Sequence, residues 1–359
     1  MRLGKSGNKK KILIIGNLGY VGDAVTKFFY KNNVEVSGID QSYFGDCVTS
    51  FLKVSISDKM ITNQKTKDVR SLKLEDLKGF NSIVYLAAIS NDAMGDRFKK
   101  LTREINYKSA LKIAKLAKIA GVKKFLFASS CSIYGISNND YLSENNKTNP
   151  LTEYARSKLD AEIELKKLAT QKFKIINLRF GTACGYSDRL RLDLVLNDFV
   201  YTGLMTNKII LLSAGNQWRP FIHIKDMAKA IYFFSEKYNK KNFLTINVGS
   251  NSMNLSIIAL AREVSKTLKN CKIIIKGKTN NDQRSYKVNF NLFKKITPKK
   301  YLPSYNLKKS VKDLHKSIQQ NFKELDKNFR KGNLIRLNYL NNLIASKILN
   351  KSLNWKFKF

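Results

Sequence analysis

The sequence predicts an α/β fold, a doubly wound parallel sheet with helices on both faces, joined to a smaller C-terminal α+β lobe. Short apolar runs of about five residues alternate with amphipathic stretches through the first two thirds of the chain. Those runs are apolar throughout rather than at every second residue, the pattern of strands buried on both faces. Between the first run and the first amphipathic stretch lie Gly16, Gly19 and Gly22, where a strand should turn tightly into a helix.

In chain order, "KILIIG" is the first strand, the stretch after the glycines is a helix, and "VEVSGID" is the second strand, ending at Asp40. A third strand is expected before "KDVRSL", although its residues mark it poorly. "SIVYLAA", "KKFLFASS" and "FKIINLRF" are the next strands. The helix "TREINYKSALKIAKLAKIAG" is apolar at Ile105, Ala110, Leu111, Ile113, Ala114, Leu116, Ala117 and Ile119. One sheet face does not need so much apolar surface. With the helix after Tyr154, it is expected either to pack on a second copy in a homodimer or to lie under a covering loop. Beyond residue 182 polar loops around "GYSDRLRLD" and "SAGNQWRPF" interrupt the alternation, before "FIHIKDMAKAIYFF" and "FLTINVGS" restore a helix and a strand. The expected organisation is a nucleotide-binding unit over 1–182, completed by 221–248, and a second lobe from 183–220 and 249–325. A basic helical segment over 326–359 follows, with apolar residues at Leu334, Leu337, Leu340, Leu343, Ile344, Ile348 and Leu349.

A chain of 359 residues that is 43% hydrophobic can bury a sizeable core. No apolar run reaches the roughly 20 residues of a membrane span, and "ILIIG" is too short for a secretory signal, so a cytoplasmic protein is expected. Cys47, Cys131, Cys184 and Cys271 lack CxxC spacing, which argues against a disulfide framework or a metal site. The net charge of +39 is mostly Lys spread along the whole chain. It reads as a solvated surface, and no nucleic-acid partner is expected. His223 and His315 are the only histidines, so the chemistry must use other groups.

The glycine cluster suits a dinucleotide. Gly16 permits the turn, Gly19 lets a pyrophosphate approach the N–H groups of Tyr20 and Val21 at the helix start, and Gly22 allows helix to pack on strand. Asp40 stands 24 residues after Gly16, where a carboxylate accepts both ribose hydroxyls of an adenosine. No Arg lies beside it to receive a 2′-phosphate, so the expected cofactor is NAD. Tyr154 and Lys158 in "TEYARSKLDAE" share one helix face, where the ammonium would lower the phenol's pKa from about 10 and make it a usable acid or base. Tyr305 and Lys309 repeat the spacing but follow Pro303 outside the sheet, away from any strand end, and read as a chance pair.

"GNLGYVG", "IVYLAA", "ASSCSIYG", "YARSK" and "QWRPFIHIKDMAKA" occur in the order found in extended short-chain dehydrogenases/reductases. Over roughly residues 10–320 the chain resembles the NAD-dependent epimerase/dehydratase family that acts on nucleotide sugars. The resemblance implies a Rossmann domain, a substrate lobe and transient oxidation of a nucleoside-diphosphate sugar by bound NAD. It implies Tyr154 as the acid/base, Lys158 on the nicotinamide ribose and Ser130 on the reacting oxygen, with Ser129 and Ser132 as close competitors. It also implies Asp68 and Val69 at the adenine, Leu86, Ala87 and Ala88 along the cofactor, and Asn106 near the active site. Arg219 and Arg284 match positions that grip the diphosphate, and His223 and Asp226 match a structural turn.

Departures narrow the function. Dehydratases of the family carry an Asp-Glu pair after the Ser or Thr, where this chain has Cys131 and Ser132. Epimerases acting at C3 and C5 use a cysteine two residues before the tyrosine of the "IYG" turn, whereas Cys131 stands three before Tyr134. Gly181 and Thr182 replace the family's Asn. The expected activity is therefore C4 epimerisation, with a 4-dehydrogenase or 4-keto reductase as the enzymatic alternative. An NAD-retaining protein that uses its basic C-terminal segment on RNA or a membrane is the alternative of another class.

Overall fold

A computed structural model describes residues 10–45, 47–49, 55–269, 271–277 and 284–357. From the N-terminus, β1 (Lys11–Ile15), α1 (Tyr20–Lys31), β2 (Glu35–Asp40), β3 (Asn63–Thr66) and β4 (Ser82–Tyr85) lead into three helices. These are α2 (Asp92–Arg97), α3 (Lys99–Arg103) and α4 (Ala110–Ile119), followed by β5 (Lys124–Ser130), β6 (Ile136–Leu142), α5 (Glu153–Lys166) and β7 (Lys174–Phe180). Then come β8 (Thr182–Cys184), α6 (Val195–Thr206), β9 (Lys208–Leu211), β10 (Trp218–His223), α7 (Ile224–Tyr232) and β11 (Phe243–Val248). The rest comprises β12 (Asn254–Ser256), α8 (Ile257–Thr267), β13 (Lys272–Ile275), β14 (Ser285–Val288), α9 (Asn291–Ile296), α10 (Leu307–Asn321) and α11 (Arg336–Ala345).

The central sheet has seven parallel strands in the order β11-β7-β5-β4-β1-β2-β3. From β1 the chain winds outward to β2 and β3, then returns to β4 on the other side, so a crevice opens outside the carboxyl ends of β1 and β4. The poorly marked third strand is β3, whose sequence NQKT lies mostly exposed. An edge strand needs polar residues more than a core pattern, which is why hydrophobicity did not reveal it. Among the described residues, three small sheets, β12-β10-β8, β13-β9 and β14-β6, lie outside the central one.

The helix predicted from "TREINYKSALKIAKLAKIAG" is continuous but contains a π-helical stretch, Glu104–Ser109, between α3 and α4. Ile105, Ala110, Ile113, Ala114 and Ala117 are buried, Leu111 and Leu116 are half-buried, and Ile119 is 70% exposed. Most of the surplus apolar surface is therefore consumed within the chain. The same apolar cluster takes in Leu340, Leu343, Leu349 and Leu353 of the C-terminal segment. That segment lies over the loop after β2: the Trp355 indole donates to the Gln41 carbonyl at 2.8 Å, and the Tyr43 hydroxyl donates to the Leu353 carbonyl. Among the described residues no helix is long and apolar enough to cross a membrane.

Candidate active site

The crevice is built around Gly16, whose φ of +96° suits glycine, and where a Cβ would stand 2.6 Å from the Ala87 nitrogen. A Cβ on Gly22 would meet the Gly16 carbonyl at 2.4 Å, so α1 is seated directly on the turn. Gly19 caps α1 without a side-chain acceptor, which leaves the leading N–H groups of the helix available to an anion. Tyr20 can offer only its backbone there, because its hydroxyl is spent on the Gly185 carbonyl at 2.6 Å. Val21 is half-buried beside it. The Leu86 and Ala87 N–H groups donate to the Ile15 carbonyl, placing this backbone and Ala88 along the crevice wall.

Asp40 ends β2 and accepts hydrogen bonds from Leu18 N at 3.0 Å and Ser42 N at 2.8 Å. Burial pushes its pKa up against those bonds and against the charge of Arg189. Asp68 follows β3, caps a short turn through the Arg70 N–H and holds the Arg70 guanidinium at 2.5 Å, with Val69 buried beside it. Asn106, expected near the active site, lies behind the crevice wall. It is fully buried, and its amide is spent on both backbone groups of Ile89, at 2.9 and 3.0 Å, and on the Ser157 hydroxyl. It braces the crevice wall from behind instead of lining it.

The chemistry is carried by α5. Thr152 caps this helix through the Ala155 N–H and donates to Asp92. Burial raises the pKa of the Tyr154 phenol, while the nearby Ser130 hydroxyl and then Arg191 pull it down. Lys158 is 2% exposed, donates to the Ala128 carbonyl at 2.8 Å, and is pushed down to about 7 by burial. Its Nζ lies 5.8 Å from the centre of the Tyr154 ring. Lys158 is thus desolvated and tethered to a carbonyl one helix turn from Tyr154, and Arg191 is a second cation that lowers the phenol's pKa.

The three serines separate cleanly. Ser129 donates to the buried Glu162 at 2.5 Å, and Glu162 is paired with Arg179 at 2.7 Å, so Ser129 belongs to a structural pair. Ser130 faces Tyr154. The Ser132 hydroxyl is buried and finds no acceptor or donor among the described residues. The Cys131 thiol is fully buried against the Arg179 carbonyl at 3.3 Å, and burial pushes its pKa well up, which makes it inert.

Arg219 and Arg284 are brought together. Arg219 is buried, donates to the carbonyls of Trp218 and Arg284, and stacks 5.4 Å from the Tyr286 ring. Arg284 pairs with Asp92, the carboxylate that also accepts from the α5 cap. Through Asp92, Arg284 is tied to the Thr152 cap of α5, which brings these arginines to the start of the helix that carries Tyr154. His223 caps α7 and stacks on Tyr305 at 3.8 Å, with the Lys309 ammonium over the same ring. The second Tyr-Lys pair is thus a surface stack away from the chemistry.

Sequence reasoning missed Arg189, Arg191 and Asp193. Arg191 makes a two-point pair with Asp193 at 3.0 and 2.7 Å and donates to Ser90 at 2.9 Å, while Asn91 donates to Asp193. The only trace in the sequence is "RLRLD", whose alternation of charge with Leu looks like a surface stretch.

Fold and site together define an NAD-binding enzyme of the extended short-chain dehydrogenase/reductase type. Residues 12–249 match the NAD dependent epimerase/dehydratase family, and the chain belongs to that family. A UDP-glucose 4-epimerase of Mycoplasma genitalium is 23% identical over 286 residues, covering 72% of this chain and 82% of that one. The y4nG protein of Sinorhizobium fredii is 26% identical over 244 residues, which span 67% of this chain and 56% of the relative. Among solved structures, the UDP-glucuronic acid 4-epimerase of Bacillus cereus, in complex with UDP-glucuronic acid and NAD, superposes with a TM-score of 0.73 at 21% identity. That match covers 86% of this chain and 99% of that one.

The donor set fits NAD. Gly16 and Gly22 let the turn and α1 close tightly on each other, the α1 N-terminus has no side-chain cap and so offers its N–H groups to a pyrophosphate, and a carboxylate, Asp40, ends β2 as a ribose acceptor requires.

Proposed function

We propose that the protein is an NAD-dependent nucleotide-sugar epimerase acting at C4. The observation that carries this reading is Tyr154 near Ser130 and one helix turn from a buried Lys158, with an inert Cys131 thiol and the Ser132 hydroxyl where a dehydratase places a second acid and base. Elimination of water needs that second pair; epimerisation through a ketone does not.

NAD supplies a hydride acceptor and donor. Tyr154 takes the proton of the sugar 4-hydroxyl and later returns it, while Ser130 holds the reacting oxygen in line. Lys158, on the same helix face, orients the nicotinamide ribose, and Ala128 fixes its ammonium. Arg191, joined to the crevice wall through Ser90, stabilises the phenolate that forms when Tyr154 gives up its proton. Arg219, with Arg284 beside it, takes the diphosphate, and the 4-keto intermediate turns about that anchor to present its other face. The sequence relatives named as 4-epimerases support C4.

A homodimer is expected on the α4 and α5 face, where Ile119 and Ile163 are 70% and 51% exposed. Sedimentation velocity tests it, with Ile163→Glu expected to shift any dimer to monomer. The activity is tested by incubating purified protein with UDP-glucose, UDP-N-acetylglucosamine and UDP-glucuronic acid. Interconversion of a C4 pair without added NAD is the expected result, and a keto product with an equivalent of free NADH would replace the epimerase with the dehydrogenase.

A further inference from the structure

Arg189 is 2% exposed, yet its Nε and Nη1 find no hydrogen-bond acceptor among the described residues. Only Nη2 is engaged, by the two carboxylate oxygens of Asp58 at 3.0 and 2.9 Å. A buried guanidinium with unspent N–H groups is costly, and such groups in folded proteins mark a place where an acceptor belongs.

The surroundings identify that acceptor. Residues 185–191 run beside the first turns of α1: the Gly185 carbonyl accepts from the Tyr20 hydroxyl, and the Ser187 hydroxyl donates to Asp23 at 3.0 Å. Ser55, just before the turn that carries Asp58, donates to the same Asp23 at 2.8 Å. Arg189 thus follows directly on a stretch bound to the first turn of α1, with its head fixed by Asp58 and its charge felt at Asp40. From behind, the Arg336 guanidinium donates to the Arg189 carbonyl at 2.9 Å and stacks 4.6 Å from the Phe44 ring.

We propose that Arg189, which lies outside the glycine turn and its sheet, is a ligand of the cofactor's phosphates, held in place by Asp58 and by the C-terminal segment through Arg336. Its free N–H groups and the leading N–H groups of α1 converge on one anion from two sides, a charge-assisted arrangement. Asp40 takes the ribose next to it. The C-terminal segment thereby becomes part of the cofactor site, locking the adenosine half so that the dinucleotide stays bound between turnovers. This rests on NAD as the cofactor and not on the carbon epimerised.

The test is binding to cofactor-stripped protein by calorimetry, with NAD, ADP-ribose and adenosine as probes. In Arg189→Met, NAD and ADP-ribose should weaken at least tenfold and adenosine not at all, while the stripped variant melts no lower than the native chain. Unchanged NAD binding, or equal weakening of all three ligands, would overturn the assignment. If Arg189→Met does not fold, Asp58→Asn takes its place, since Asp58 is partly exposed. Threefold or greater weakening of ADP-ribose relative to adenosine supports the proposal, and no difference between them refutes it.

Discussion

Lys158 lies beneath the Phe127 ring at 4.6 Å with its pKa pushed down to about 7 from 10.5 by burial. Its unfolded form keeps the proton up to 10.5, whereas the folded form releases it near 7. Between those values the unfolded chain binds more protons, so this residue makes the cofactor-free protein more stable as pH rises through that window. The contribution is up to about 1.4 kcal/mol per pH unit. Urea titrations from pH 7.5 to 9 should show this slope in the native chain and lose it in Lys158→Met; parallel profiles would refute the assignment. Tyr154→Phe should fold and retain NAD but lose turnover by at least about 100-fold, the usual scale for a general acid/base. Near-normal turnover in that variant would reject the mechanism. The shared helix face of Tyr154 and Lys158 was legible because spacing alone specifies it, whereas Ser130 came from the family resemblance, with Ser129 and Ser132 as competitors. Arg189 and Arg191 were not legible, because their roles come from partners more than a hundred positions away, Asp58 and Ser90.

At the scale of elements, the turn from β1 into α1 leaves no room for a side chain. Gly16→Ala would need a left-handed backbone and set a Cβ 2.6 Å from the Ala87 nitrogen. We expect a loss of about 2 kcal/mol from overpacking and strain, with NAD binding weakened because the α1 start is displaced. Thermal melts and NAD titration check both. The packing of α5 on β7 depends on the buried Glu162–Arg179 pair, which also holds Ser129. Glu162→Gln leaves an unpaired guanidinium and should cost about 3 kcal/mol by chemical denaturation. The five strands marked by apolar runs were legible as elements, and the glycine turn as their link. The edge strand β3 and the small sheets were not, since short or exposed strands such as β3, β8 and β9 are set by their neighbours and not by a pattern of their own. Gly181 shows the same dependence: a Cβ there would press 2.9 Å from the Pro220 carbonyl, so the family's Asn cannot be accommodated without moving β10.

Across the whole molecule, a Rossmann sheet has its crevice at the β1–β4 divergence, and the segments bearing Arg219 and Arg284 are tied to the start of α5 through Asp92. The C-terminal segment, read from sequence as a basic tail, turns its apolar residues inward and fastens to Gln41, Tyr43 and Arg189. Its helical pattern was visible, but its destination was not, because the hydrogen bonds that dock it accept any residue's backbone carbonyl. The central claim is that the chain would hold one NAD throughout, so that the hydride removed from C4 would return to the same carbon. The most direct measurement uses a nucleotide sugar deuterated at C4, incubated with the purified protein in ordinary water and an excess of free NADH. The account predicts both C4 epimers with the deuterium fully retained and none in free NADH. Loss of deuterium to the free cofactor or to water would contradict it.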